Sequence, residues 1–208
     1  MIPVETITLF FAASVALGLA PGPDNIFVLT QSALHGRKAG LLVTLALSTG
    51  LIVHTAAVSL GVAAIFQTSA LAFNLLKFVG AAYLLYLAWL AFRAGATDIE
   101  SREDNRLSWR GLYLRGVIMN ITNPKVAIFF LAFLPQFANP DNGSLVLQML
   151  LLGGIFIIAT LLVFGSVAWT AGFLGEWLQG SRKAQIIMNR VAGTVFAGLA
   201  LRLVTSER

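Results

Sequence analysis

Two charged side chains, Asp24 and Lys125, lie within apolar stretches that are long enough to cross a membrane. Each charge at the centre of a bilayer costs about 2.5–3.5 kcal/mol on insertion scales, so two unpaired charges would cost roughly 5–7 kcal/mol together. That cost is comparable with the whole stability of many folds. We therefore expect the carboxylate and the ammonium to lie close together. They could form a structural ion pair, or a site in which the two charges of a zwitterion compete with that pair.

A proline motif precedes each of these charges. The residues at 21–24 read Pro-Gly-Pro-Asp, and those at 123–125 read Asn-Pro-Lys. Proline removes a backbone donor and clashes with the preceding turn, whereas Asn at the cap and Pro at the first position favour a new helix start. The sequence therefore predicts two helices that are broken within the membrane, each with a half-helix N-terminus that favours an anionic group. Two packing kinks are the alternative.

The predicted substrate site lies at these two breaks. It comprises Pro21, Gly22, Pro23, Asp24, Asn25, Asn120, Asn123, Pro124 and Lys125. In this hypothesis the ammonium of a small zwitterion binds Asp24, and its carboxylate binds Lys125 and the nearby helix N-termini.

Other side chains could carry protons or line the site. Asp24 is a candidate for the coupling proton because burial and a nearby Lys act on its pKa in opposite directions. His54 could relay protons, although a neutral histidine bonded to a neighbouring hydroxyl is the simpler interpretation. Tyr83 and Tyr86 share a helix face, so one of them could line the cavity, or both could be interfacial aromatics.

The composition indicates an all-α integral membrane protein. Of the 208 residues, 58% are hydrophobic and only 11% are charged, against about 25% charged in an ordinary soluble domain. Cysteine is absent, which removes disulfides and thiolate ligands. The net charge of +5 is distributed between apolar runs rather than on one face, so we expect no nucleic-acid partner. No metal site, cofactor or catalytic residue is predicted.

Six stretches are long enough to cross the hydrocarbon layer as helices. They run over about 4–34, 39–66, 71–93, 111–134, 145–173 and 187–204. The polar link 94–110 divides a single transporter domain, 1–208, into repeats of three helices each, 1–93 and 111–208. With an odd number of helices per half, the second half begins on the opposite side, so the repeats would be inverted.

The distribution of Lys and Arg predicts the orientation. Ten of them follow helices one, three and five, whereas three lie at the termini and after helices two and four. We therefore expect both termini outside the cytoplasm and the link 94–110 inside it.

Four segments resemble the lysine-exporter superfamily, in particular its homoserine/threonine-resistance branch. They are PGPDN at 21–25, GLIVH at 50–54, GAAYLLYLAW at 80–89 and NITNPKVAIFFLAFLPQF at 120–137. The resemblance implies proton-driven efflux of amino acids or close derivatives across the bacterial inner membrane. Members export neutral or basic amino acids, homoserine and its lactone, and some relatives handle metal cations. By motif, the family's important positions are Pro21, Gly22, Pro23, Asp24, Asn123, Pro124 and Lys125.

The sequence thus predicts a proton-coupled exporter of small amino acids such as threonine, homoserine, leucine or lysine, which could be a homodimer. A cation exporter fits less well, because one carboxylate without a thiol is a sparse metal site and Lys125 would repel the ion. An intramembrane enzyme would need an acid–base pair or metal cluster that two histidines and one buried carboxylate do not supply. A purely structural subunit would leave the buried charges unexplained.

Overall fold

The computed structural model describes residues 2–20, 22–68, 70–94, 108–180 and 182–205. Within them lie eight α-helices: α1 Val4–Leu19, α2 Pro23–His35, α3 Arg37–Thr68, α4 Ala70–Arg93, α5 Trp109–Ile121, α6 Pro124–Ile128, α7 Leu145–Gly180 and α8 Arg182–Thr205. Pro21 of the predicted site and residues 95–107 of the predicted link lie outside the described residues.

Both predicted helix breaks are present. α1 ends at Leu19 and α2 starts at Pro23, with a bend of 62° between them. α5 and the segment that begins at Pro124 meet at 46°. At this second break the Asn123 side chain caps α6 as predicted, because its oxygen accepts from the backbone N–H of Lys125 at 3.0 Å.

The second broken helix changes its winding after α6. Phe129–Phe133 form a π-helical turn and Leu134–Phe137 a 3₁₀ turn. Pro135 has no N–H to donate to the preceding turn, which accounts for the loss of α-helical winding there. A buried aromatic cluster forms around these turns. Its ring pairs include Phe129–Phe133 at 4.7 Å, Phe133–Phe137 at 4.8 Å, Phe130–Phe156 at 5.0 Å and Phe10–Phe137 at 5.1 Å between centroids.

α3 is the central helix of the bundle, and glycine lets it approach its neighbours closely. A Cβ added at Gly50 would lie 2.8 Å from Cβ of Asn120, and one added at Gly116 would lie 2.7 Å from Cβ of Ala46. Ala46 faces Gly116, and Gly50 faces Asn120 four residues further along each helix, so α3 and α5 run parallel. Small residues at such contacts are typical of packed membrane helices.

α7 packs against α3 in the opposite direction. Gly153 of α7 lies against Thr55 near the middle of α3, whereas Trp169 stacks on the Arg37 guanidinium at its start, 4.6 Å from the ring centroid. α7 also packs against α1 and α2.

The remaining two long helices form a second pair. α4 lies along α8 and also contacts the π-helical turn, while α8 contacts α1. The third helix of each predicted half therefore packs on the third helix of the other.

The outer surface of the bundle is apolar. Leu60 is 72% exposed, Leu75 65% and Ile118 60%, which is typical of a surface that contacts lipid. Arg37–Gly61 and Leu145–Thr170 are each apolar and long enough to cross a membrane, with mean hydropathy of 1.9 and 2.6. If each bent pair is one crossing, the described residues contain up to four such spans.

Candidate functional site

The two helix breaks face each other across a small cavity. Residues from α1, α2, α3, α5, α6 and α7 line it: Leu17, Gly18, Asp24, Leu51, Asn120, Lys125, Val126, Phe156, Thr160 and Phe164. Its volume of about 20 Å³ leaves room for one water molecule. This space is much smaller than an amino acid.

The Asp24 carboxylate is buried and held by two side-chain amides. Asp24 lies in the first turn of α2 and is 3% exposed. Asn120 Nδ2 donates to its Oδ2 at 3.1 Å, and Asn123 Nδ2 donates to its Oδ1 at 2.9 Å. The position near a helix N-terminus also favours the negative charge. The acid of the first break is thus held by two residues of the second.

The Lys125 ammonium is held by the end of α1. Its Nζ donates to the backbone oxygens of Ala20 at 3.0 Å and Leu17 at 3.3 Å, and the side chain is 9% exposed. Because α1 stops here, these carbonyls have no helical N–H partner, and the C-terminal end of a helix favours a cation. The second broken helix thus supplies the amides that bond Asp24, and the first supplies the carbonyls that bond Lys125.

Asp24 and Lys125 do not form a direct ion pair, which was one of the two arrangements that the sequence left open. They line the same cavity, but neutral amides hold the carboxylate and backbone carbonyls hold the ammonium. Buried charges need hydrogen bonds as well as counter-charges, and the ends of the broken helices supply enough of them here. The arrangement leaves a separate negative site and a separate positive site.

Two other residues of the first break stabilise this geometry. Asn25 Nδ2 donates to the Gly18 oxygen at 2.6 Å, which satisfies another carbonyl near the end of α1. Gly22 lies so close to the ammonium that a Cβ there would come within 2.9 Å of Lys125 Nζ. A side chain at this position would displace the ammonium from its carbonyls.

His54 does not bond Asp24 directly, but it bonds Asn120, which holds the Asp24 carboxylate. Its Nε2 donates to the Asn120 backbone oxygen at 3.2 Å, and its ring lies 5.6 Å from that of Phe130. Asn120 in turn donates to Asp24. His54 is therefore one residue away from the carboxylate, and its Nε2 partner is a backbone carbonyl.

The two tyrosines have different surroundings. Tyr83 lines a second cleft, between α4 and the π-helical turn, together with Lys125 and Phe129. Tyr86 is 50% exposed on the outer surface and stacks beside Trp89 at 6.2 Å. Tyr86 lines neither cavity, because it lies on the outward side of α4.

No cluster of three or more His, Cys, Asp or Glu that could hold a metal ion is found within the described part of the chain. Asp24 has amide donors around it rather than further oxygen ligands.

Sequence patterns had not indicated the α7 wall of the cavity. Phe156, Thr160 and Phe164 look like part of an ordinary apolar run, and only their spacing of four shows that they share a face. The carbonyls of Leu17 and Ala20 were also missed, because a carbonyl at a helix end carries no signal of residue type.

The site lies near the middle of the apolar bundle. Asn120 faces Gly50, which is close to the centre of the apolar segment Arg37–Gly61. Irregular backbone at such depth is tolerated where protein or a polar cavity satisfies it. These features define a multi-pass helical membrane protein with a polar site between two broken helices.

Comparison with known proteins assigns this protein to a family. The LysE-type translocator family model matches residues 15–207, and the chain belongs to that family. Over 188 residues it is 34% identical to a homoserine/homoserine lactone efflux protein of Salmonella typhimurium, with 90% of each chain covered. An uncharacterized membrane protein of Vibrio cholerae is 32% identical over 199 residues, with 95% of this chain and 96% of the relative covered. No solved structure matches the chain.

Proposed function

We propose that this translocator is a proton-coupled exporter of small zwitterionic amino acids or their derivatives, in the range of threonine, homoserine, leucine and lysine. One observation carries the proposal. Asp24 and Lys125 are both buried at one cavity, and each is held by groups other than its opposite charge. A zwitterion brings an ammonium for the first and a carboxylate for the second. The efflux relative from Salmonella typhimurium supports the direction and the substrate class.

Substrate binding replaces hydrogen bonds that the site makes within the protein. The substrate ammonium takes the place of the amide donors on Asp24, and the substrate carboxylate draws Lys125 away from the Leu17 and Ala20 carbonyls. These carbonyls end α1, so binding there acts directly on the first helix break. Because the observed cavity holds about one water, the site opens to admit the substrate.

Proton coupling follows from competition for Asp24. A proton on the carboxylate removes the charge that holds the substrate ammonium, so protonation from outside favours release. His54, the second candidate for proton coupling, lies one residue from this carboxylate, because it donates to the backbone oxygen of Asn120, whose side chain donates to Asp24. The proposed substrate site comprises the same nine residues that the sequence predicts at the two helix breaks.

A cation exporter is the second candidate, and it rests on the buried carboxylate alone. The two amide donors on Asp24 and the nearby ammonium of Lys125 disfavour a metal ion at this position.

Helix directions support six crossings in two inverted repeats, 1–93 and 111–208, of a single domain. Since α5 starts beside the start of the parallel helix α3, the chain must return after α3. The 24 residues of α4 span roughly 36 Å at 1.5 Å per residue, enough for that return. The packing is also the same in both directions. The second helix of each half packs on the first, broken helix of the other half: α3 contacts α5, and α7 contacts α1 and α2.

We place the protein in the bacterial inner membrane, with both termini outside the cytoplasm and the link 94–110 inside. A homodimer stays part of the proposal.

Transport into everted membrane vesicles tests the function. Vesicles with this protein and vesicles without it are energised by respiration and given labelled threonine, homoserine, leucine or lysine, with and without an uncoupler. We expect protein-dependent accumulation of at least one of these amino acids that the uncoupler abolishes. Absence of any protein-dependent uptake would refute export of these substrates, and uptake that ignores the uncoupler would refute proton coupling.

A further inference from the structure

The face of α7 toward the two charges carries one hydroxyl group between two phenyl rings. Phe156, Thr160 and Phe164 follow one another at intervals of four, so they lie on one side of the helix. All three line the cavity that Asp24 and Lys125 share, and each is at most 5% exposed. Thr160 is thus the polar centre of an otherwise apolar wall.

The Thr160 hydroxyl differs from most of its counterparts in the bundle. Ser and Thr in a helix commonly donate to the carbonyl four residues earlier, as Thr44, Thr55 and Ser166 do at 2.9, 2.7 and 2.7 Å. Among the described residues, Thr160 has no hydrogen-bond partner, although it is 95% buried. Its hydroxyl oxygen is not among the fully enclosed polar atoms that lack a partner, so it is open to the cavity that Thr160 lines. A ligand in the cavity could supply the missing bond.

We propose that Thr160 determines side-chain specificity by bonding a hydroxyl on a short substrate side chain. This inference rests on the proposed function. With the ammonium on Asp24 and the carboxylate on Lys125, the side chain of the substrate lies against the rest of the lining, in which Thr160 of α7 supplies a hydroxyl. The two phenyl rings of the α7 wall pack against methylene groups, and the Thr160 hydroxyl meets the end of a two- or three-atom side chain. The substrate class is therefore short hydroxy amino acids rather than long or charged ones.

Isosteric substrates and variants test this assignment. Homoserine is compared with norvaline, and threonine with valine, since each pair differs by a hydroxyl in place of a methyl group. The Thr160→Val variant keeps the volume and removes the hydroxyl, and Thr160→Ser restores it. Thr170→Val on the same helix is the matched control, because Thr170 is exposed and its hydroxyl is bonded to the Ser166 oxygen at 2.7 Å. The readout is the initial rate of uptake into everted vesicles.

We expect Thr160→Val to lower the homoserine-to-norvaline ratio about tenfold, the effect of one lost hydrogen bond to a buried group. Norvaline uptake should persist in this variant, which shows that it is folded. Thr160→Ser and Thr170→Val should keep the wild-type ratio. An unchanged ratio in Thr160→Val would overturn the proposal. Uptake of leucine or lysine without homoserine or threonine would overturn it while the exporter function stands. Absence of all amino-acid uptake would refute both.

Discussion

The side-chain amide of Asn123 donates a hydrogen bond to the Asp24 carboxylate over 2.9 Å. Its oxygen accepts at the same time from the backbone N–H of Lys125. The Asn123 side chain therefore caps the start of α6 and also holds Asp24, which lies in the first turn of α2. Because Lys125 reaches back to the carbonyls that end α1, the two helix breaks are tied to each other in both directions.

Replacing Asn123 by Ala should destabilise the protein and abolish transport. The loss of a helix cap costs about 1 kcal/mol, and the loss of a hydrogen bond to a buried charge costs about 1.5–3 kcal/mol. The midpoint of thermal unfolding in detergent, followed by tryptophan fluorescence, measures the change. Asn139→Ala is the matched control, since Asn139 caps an exposed 3₁₀ turn by the same bond to Asp141 at 2.9 Å. Equal midpoints for the two variants would contradict the special role of Asn123.

Replacing Gly22 by Ala should slow transport much more than it lowers stability. The new Cβ would lie 2.9 Å from Lys125 Nζ, so the ammonium must leave its carbonyls, whereas the backbone at Gly22 is extended and tolerates Ala. We expect initial uptake to fall about tenfold, from the weakening of one charge-assisted hydrogen bond. Gly165→Ala, with open space around the added Cβ, should transport normally. Full activity of Gly22→Ala would show that the position of the ammonium is unimportant.

Replacing Gly50 by Ala should separate α3 from α5. A Cβ at Gly50 would lie 2.8 Å from Cβ of Asn120, and overpacking of this kind costs about 1–3 kcal/mol. Since Asn120 donates to Asp24, transport should fall together with the thermal midpoint. Gly61→Ala is the control on the same helix, because nothing lies within 4 Å of its added Cβ. The argument fails if the two variants have the same midpoint.

Replacing His54 by Gln should reduce proton-driven accumulation more than substrate exchange. His54 contacts the site through Asn120 and does not itself line the cavity at Asp24. We expect respiration-driven uptake to fall while exchange of labelled for unlabelled substrate, which needs no net proton movement, continues. His35→Gln, at the end of α2, serves as the control. Equal loss of both activities would assign His54 a structural role instead.

The sequence predicted the helix breaks well because proline and a capping asparagine act locally. The 21–24 and 123–125 motifs mark where helices end and begin, and the structure has both breaks with bends of 62° and 46°. The bounds of α3 and α4 lie within about two residues of the predicted apolar runs, whereas α7 ends later than predicted and α8 begins earlier. The burial of Asp24 and Lys125 in one cavity was also predictable from their cost in an apolar segment.

The partners of these charges could not be read from the sequence. The free-energy cost of burial implies that both charged side chains have partners, but it does not show whether each partner is a counter-charge, an amide or a free carbonyl. The choice depends on where α1 ends in space, since its terminal oxygens receive Lys125. Thr160 was missed for a related reason: its proposed role depends on a hydroxyl without the usual bond to the preceding helical turn, and this arrangement is visible only in the structure.

The central claim is that Asp24 and Lys125 bind the two charges of one zwitterion. The most direct test is the initial rate of labelled homoserine uptake into energised everted vesicles that contain equal amounts of wild type, Asp24→Asn or Lys125→Met. Each variant loses a charge-assisted bond worth about 1.5–3 kcal/mol, so we predict that each rate falls roughly ten- to a hundredfold. A wild-type rate in either variant would contradict the claim.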